Sequence, residues 1–315
     1  MANAAVWERI TRRIGRWVDF ENDYKTMDLD FMESVWWVFK QLWDKGLVYR
    51  DFKVLPYSYG ASTPLSNFEV NLGEYRDVED PSITVRLEVT EDAGPVSAGD
   101  HLVVWTTTPW TMPSNLGIAV GDDIRYVRID APIDGVDGRY WIAAERVGEY
   151  WGDDAPAPAA AATGAELIGV RYRPALPYFE HLAGEGAFVV ITSDDVTTDE
   201  GTGLVHMAPA YGEADFQAFQ DAGLDVIVDP VDGEGRFTEE VPDVAGVNVK
   251  EADARLIELL DAAGALVRSG RLVHSYPFCW RTDTPLIYKA IPTWFVAVTR
   301  FRDRMVDLNE TIHWV

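Results

Sequence analysis

The 315 residues carry 52 Asp and Glu against 27 Lys and Arg, a formal net charge of -25. That balance excludes a general nucleic-acid binder, which needs a basic face, and leaves room only for a confined contact. At 47% hydrophobic with 12 Trp, the chain has the apolar content for a large domain plus an appended element.

The opening segment through Leu47 reads as helical. Asp28 and Asp30 suit a helix start, Phe31, Val35, Trp36, Phe39, Leu42 and Trp43 recur on one face, and Gly46 suits a C-terminal cap. The aromatic face is expected to be a core stripe, partly exposed if its apolar partner is a domain outside this chain. From Val54 onward short β-like runs take over, among them Ile83 to Val89, Leu102 to Trp105, Tyr126 to Ile129, Tyr140 to Ala143 and Phe188 to Thr192. Gly, Pro and Asp punctuate them at short intervals, the pattern of a sandwich or barrel. Gly152 to Gly164, with its Ala/Pro run, reads as a surface loop. Two helices interrupt the β pattern. One follows Gly212; the other runs from about Glu251 to Ala263, with Leu256, Ile257, Leu259 and Leu260 inward and Gly264 closing it. The lone Cys279 excludes an intrachain disulfide and fits a reducing compartment. No apolar run approaches a membrane span and no signal-peptide core opens the chain, so a soluble, cytoplasmic location is expected.

Two polar runs stand where apolar strands end, the usual place for reactive groups on a rigid scaffold. The first is Trp105-Thr106-Thr107-Thr108-Pro109-Trp110-Thr111-Met112-Pro113-Ser114-Asn115. Thr108 before Pro109 predicts a capped helix start, whose free N–H groups would receive an oxyanion. Three adjacent hydroxyls would position a water. The second run, Gly201-Thr202-Gly203-Leu204-Val205-His206-Met207-Ala208-Pro209-Ala210-Tyr211-Gly212-Glu213-Ala214-Asp215, predicts strand, tight loop and helix. Asp215 would then lie in a first helical turn, where an acid ordinarily complements the helix dipole and could instead hold an ammonium. His206 alone is ordinarily a satisfied, half-buried histidine.

Together these runs resemble the editing domain of isoleucyl-tRNA synthetases, which removes wrongly attached amino acids from tRNA. The resemblance covers nearly the whole chain. Gly15-Arg16-Trp17-Val18-Asp19-Phe20, Tyr24-Lys25-Thr26-Met27-Asp28 and Thr63-Pro64-Leu65-Ser66 look like the family's entry into the insertion; His274-Ser275-Tyr276-Pro277, Cys279-Trp280-Arg281 and Thr293-Trp294-Phe295 look like its exit. It implies a mixed α/β fold: a β-barrel-like editing domain of the valyl-, isoleucyl- and leucyl-tRNA synthetase type, with packed helices and helical or β stalks at both ends. Residues 1–55 would form the first stalk, 56–275 the editing domain and 276–315 the returning stalk.

By that resemblance Asp215 binds the substrate's α-ammonium and His206 shapes the side-chain pocket. Thr106, Thr107 and Thr108 surround the scissile ester and its water, and Trp110 and Asn115 lie close by as substrate-binding residues. Hydrolysis of Val-tRNA(Ile), and of valyl-adenylate as a further option, would proceed by direct attack of water. The partners would be the valine-bearing 3′ end of tRNA(Ile) and the remainder of the same enzyme, with a monomer and no membrane expected. The adenylate-forming signatures His-Ile-Gly-His and Lys-Met-Ser-Lys-Ser are absent, so ATP and magnesium belong to the complete synthetase and editing needs no cofactor. Some relatives carry paired Cys-x-x-Cys knuckles where this chain has Ser58 with Ala61 and Cys279 with Thr282. One of four ligands remains, so no metal is expected. A passive 3′-end binding module, the editing domain of a valyl or leucyl enzyme, and a carbohydrate or peptide binder are the alternatives.

Overall fold

The computed structural model describes residues 2–23 and 25–314; Tyr24 of the entry motif lies outside the described residues. In chain order the first elements are α1 (Ala2–Arg13), α2 (Leu29–Asp44), β1 (Val48–Ser58), β2 (Thr63–Pro64) and α3 (Asn67–Asn71). Next come β3 (Tyr75–Glu88), β4 (His101–Thr106), β5 (Gly117–Val120), β6 (Arg125–Ile129), β7 (Tyr140–Ala143), α4 (Val147–Trp151), β8 (Ala160–Thr163) and α5 (Gly164–Leu167). The last are β9 (Val189–Thr192), β10 (Val205–Met207), α6 (Glu213–Asp221), α7 (Val249–Ala262), β11 (Leu266–Pro277), β12 (Ile287–Val296) and α8 (Arg302–Asn309). The fold is mixed α/β. No helix among the described residues is long and apolar enough to cross a membrane.

Two compact units result, Phe52–Ile291 and the pair Met1–Asp51 with Pro292–Val315. A boundary at 275/276 falls inside β11, whose antiparallel ladder with β3 continues to Pro277.

The larger unit is built on a nine-stranded sheet in the order β8-β6-β7-β4-β10-β5-β9, with β3 on β4 and β11 on β3. The free edge of β4 is shared, its start pairing with β7 and its end with β10. Residues 169–173 close a ring. Gly169 N–H donates to Val190 O and Tyr172 N–H to Phe188 O on one side, while Thr90 N–H donates to Arg171 O and Arg173 N–H to Glu88 O on the other. Strands β3, β4, β10, β5 and β9 thus curl into a barrel. Val85, Leu102, Val104, Ile118 and Val190 fill it and are fully buried, each worth roughly 1.5–3 kcal/mol of transfer free energy.

Helix α7 covers this core with Leu256 and Leu260. It begins two residues before the predicted start because the Asn248 side chain accepts from Lys250 N–H at 3.1 Å. One predicted loop is corrected. Ala160–Thr163 is an edge strand antiparallel to β6, since a free ladder edge can order a run of alanines that propensity alone would not.

In the smaller unit α2 ends as predicted. Gly46 adopts φ +64, with Gly46 N–H donating to Trp43 O and Leu47 N–H to Leu42 O, a paired-bond C-cap. The expected core stripe is not formed among the described residues, the outcome allowed for a partner outside this chain: no residue of α2 is buried, and Trp36 remains 76% exposed. Its amphipathic spacing makes a helix, but nothing described packs deeply enough on that face to bury it.

Candidate active site

Register sets the site. Val205 pairs with Trp105 where β10 runs parallel to β4, so the next residues, His206 and Thr106, both point to the buried side. The turn after β4 is the first departure from expectation. Pro109–Ser114 forms 3-10 turns, and the Thr108 side chain does not cap them. The physical reason lies in Pro113, which has no N–H to bond the carbonyl of Pro109, so an α-helix cannot propagate. The helix-terminus oxyanion site drawn from Thr108–Pro109 is therefore not built here.

The turn instead folds the hydroxyls inward, into a continuous chain. Thr106 Oγ1 accepts from Thr108 N–H at 3.1 Å and meets Thr108 Oγ1 at 3.1 Å. Thr108 Oγ1 lies 3.4 Å from Thr111 Oγ1, and Thr111 Oγ1 donates to Thr108 O at 2.8 Å. Thr111 Oγ1 also meets His206 Nε2 at 2.9 Å. Beyond the imidazole, Asn115 Nδ2 lies 2.7 Å from His206 Nδ1 and 3.0 Å from Gly117 O, and Tyr172 OH donates to Asn115 Oδ1 at 2.7 Å.

The structure thus unites Thr106, Thr108, Asn115 and His206, and adds Thr111 and Tyr172, which sequence reasoning missed. Thr111 stood inside the quoted run. Tyr172 sits in no motif, and only the ring closure brings it in.

His206 is 7% exposed, and burial pushes its pKa down to about 4. The ring is neutral at pH 7 with both nitrogens engaged. His206, expected both in the chemistry and as a wall of the side-chain pocket, has no lone pair left for a water and does not line the cleft beside Thr106 and Thr107. Asn115, expected on the substrate, is 2% exposed and spends its carboxamide on Gly117, His206 and Tyr172. Trp110 is 3% exposed, packs edge-on against Tyr211 at 4.8 Å and supports the turn from beneath. Its backbone N–H bonds Asp253 of α7, a carboxyl that burial pushes up to about 7.

Asp215 lies in the first turn of α6, as expected. Its Oδ2 accepts from Ala208 N–H at 2.7 Å, which ties α6 to the residue just beyond β10. Burial pushes its pKa up to about 6, against two backbone hydrogen bonds that lower it. The carboxylate is ionised at pH 7, short of solvation, and gains from a cation.

Thr106 and Thr107 open onto a cleft of about 250 Å³ whose other wall is Gly201–Val205, with Asp195 and Glu200 at its side. That wall is held from both faces. Ala143 N–H donates to Thr202 O at 2.9 Å, Tyr126 OH to Gly203 O at 2.7 Å, and Arg146 Nε to Gly201 O at 3.0 Å. Gly203 has φ +76, and a Cβ there would overlap that of Ala143. Left-handed strain and overlap together predict that Gly203→Ala destabilises by about 2–4 kcal/mol. A urea midpoint unchanged from wild type would refute that placement.

Ser58 Oγ lies 3.3 Å from Thr282 Oγ1, Ala61 N–H donates to Ser58 Oγ at 3.2 Å, and Cys279 is buried. Among the described residues no group of three His, Cys, Asp or Glu is placed to hold a metal.

The family model for class I tRNA synthetases (I, L, M and V) matches residues 1–315. Isoleucine–tRNA ligases from Nocardia farcinica, Bdellovibrio bacteriovorus and Treponema denticola are 50%, 49% and 46% identical over 98% of this chain. The chain spans 29–30% of the length of these relatives. A solved structure described as the crystal structure of GlLeuRS-CP1 aligns with a TM-score of 0.46 and 16% identity, covering 60% of this chain and 99% of that one.

Proposed function

Because the chain belongs to the class I tRNA synthetases of the I, L, M and V group, we propose that it is the editing part of an isoleucine enzyme and hydrolyses valine from tRNA(Ile). The observation that carries this reading is the bonded chain Thr106–Thr108–Thr111–His206–Asn115 at the ends of β4 and β10, with Asp215 held on the N–H of Ala208, two residues beyond His206. Water attacks the ester carbonyl carbon, the carbon–oxygen bond to the ribose breaks, and the ribose oxygen takes up a proton. Thr106, Thr107 and Thr108 orient the water and the carbonyl, and Asp215 fixes the α-ammonium. Placement supplies the rate, with no acyl-enzyme.

The need for such a step follows from size. One methylene yields about 1–3 kcal/mol of discrimination, a figure that this enzyme family itself exemplifies. A second site that admits valine and excludes isoleucine removes the remaining errors. The net charge of -25 fits a contact confined to the tRNA 3′ end, with the main tRNA grip supplied by the rest of the synthetase. The 1–55, 56–275 and 276–315 division, a monomeric state and a cytoplasmic location belong to the same proposal. Loss of valine from Val-tRNA(Ile) faster than the uncatalysed ester tests it; no acceleration, with 3′-end binding retained, favours the passive module.

The reading also includes metal independence. Purified protein should carry no stoichiometric zinc, and chelators should leave Tm unchanged. One equivalent of zinc would mean that other groups complete the knuckle around Cys279.

A further inference from the structure

We propose that Tyr172 is a positioning residue of this site: through Asn115 its hydroxyl holds His206 as the Nε2–H tautomer and so orders the threonine hydroxyls. The role in catalysis rests on the function proposed above; the tautomer does not.

A backbone carbonyl fixes the first proton. Gly117 O can only accept, so the Asn115 atom 3.0 Å from it is the amide nitrogen. The other amide atom is then the oxygen, and it faces Tyr172 OH at 2.7 Å. The second amide hydrogen points at His206 Nδ1, 2.7 Å away. That nitrogen must accept, so the ring proton of the neutral imidazole sits on Nε2 and is donated to Thr111 Oγ1 at 2.9 Å. Thr111 in turn spends its own hydrogen on Thr108 O at 2.8 Å. From Asn115 to Thr111 each hydrogen has one destination, and the Thr106–Thr108 hydroxyl pair, whose hydrogens are not fixed in this way, is what remains to orient a water.

Tyr172 is the far end of this order. It is 3% exposed, and its ring meets Phe188 edge-on at 6.1 Å. Its segment is the one that closes the barrel between Phe188 and Thr90, so barrel closure and the protonation pattern of the site are linked through one hydroxyl. Without that hydroxyl, Asn115 Oδ1 is buried with no donor. Gly117 O still holds the amide nitrogen, so the carboxamide swings about that bond instead of turning over, its second hydrogen draws away from His206 Nδ1, and the ring proton is no longer confined to Nε2.

The test pairs Tyr172→Phe, which removes only the oxygen, with Phe188→Leu, which loosens the same wall and leaves the hydroxyl in place. Nitrogen-15 spectra of histidine-labelled protein report which ring nitrogen carries the proton, with the His206 signal assigned by its loss in His206→Gln. Wild type and Phe188→Leu should show Nε2–H alone. Tyr172→Phe should show an Nδ1–H share, together with a fall of about tenfold in kcat for Val-tRNA(Ile) at a KM within about twofold. An Nδ1–H ring in wild type, a pure Nε2–H ring in Tyr172→Phe, or an equal shift in Phe188→Leu would each overturn the proposal. Absence of hydrolysis in wild type would instead count against the editing reading, and the ring pattern would still decide the role of Tyr172.

Discussion

Asp215→Asn should lose on the order of 2–4 kcal/mol of transition-state stabilisation in Val-tRNA(Ile) hydrolysis, a fall of roughly 30- to 1,000-fold in kcat/KM. The substitution keeps an oxygen to accept from Ala208 N–H and removes only the charge that would hold the ammonium. Stability should move the other way. The folded pKa of about 6 lies above the ordinary carboxyl value of 3.8, so the native state holds this proton more tightly than the unfolded chain. That contribution is fully present below about pH 4 and is lost as the pH rises through about 6. At pH 7 the ionised carboxyl is therefore a cost, and Asp215→Asn should melt at or above the wild-type temperature. Wild-type hydrolysis should fall as the pH drops through about 6, where the anion is lost, and the mutant should lack that limb. Near wild-type rates in the mutant would remove Asp215 from the substrate.

His206→Ala should change specificity. Removing the imidazole opens space in the pocket and lets the longer isoleucine side chain enter. Val-tRNA(Ile) hydrolysis should persist in part while Ile-tRNA(Ile) hydrolysis rises, so their ratio falls by about tenfold or more, each tenfold being about 1.4 kcal/mol. The fold should also weaken by about 2–4 kcal/mol, because Thr111 Oγ1 and Asn115 Nδ2 lose a buried partner. Rates measured well below the mutant's Tm separate the two effects. If both rates fell together at a fixed ratio, His206 would belong to folding or to the hydrolytic step, and not to the sieve.

The parts of this site that were legible in the amino-acid sequence are local. The Thr106–Thr108 run, His206 and Asp215 each announce themselves within a few residues of a strand end or a helix start. What was not legible depends on neighbours far along the chain. Tyr172 reaches Asn115 across 57 positions, through a ring closed by backbone bonds that carry no side-chain signature. The 3-10 geometry at Pro109–Ser114 was available in principle, since Pro113 forbids the α-helical bond, but the Thr-Pro start masked it. Asn115 was placed on the substrate by the resemblance alone; its burial against Gly117 and Tyr172 is tertiary. For α2 the same limit applied in reverse. Periodicity located its apolar face, and no periodicity says whether that face is covered. Ala160–Thr163 became a strand because β6 had a free edge to offer.

The central claim is that this chain is an ester hydrolase that separates valine from isoleucine on the same tRNA. Its most direct test is a side-by-side measurement of amino-acid release from Val-tRNA(Ile) and Ile-tRNA(Ile) by the wild-type chain at equal concentration, with Asp215→Asn as the blank. The account predicts clear acceleration on the valyl ester, little on the isoleucyl ester, and loss of the difference in the blank. Equal acceleration of both esters, or none of either by wild type when the tRNA end is bound, would contradict it.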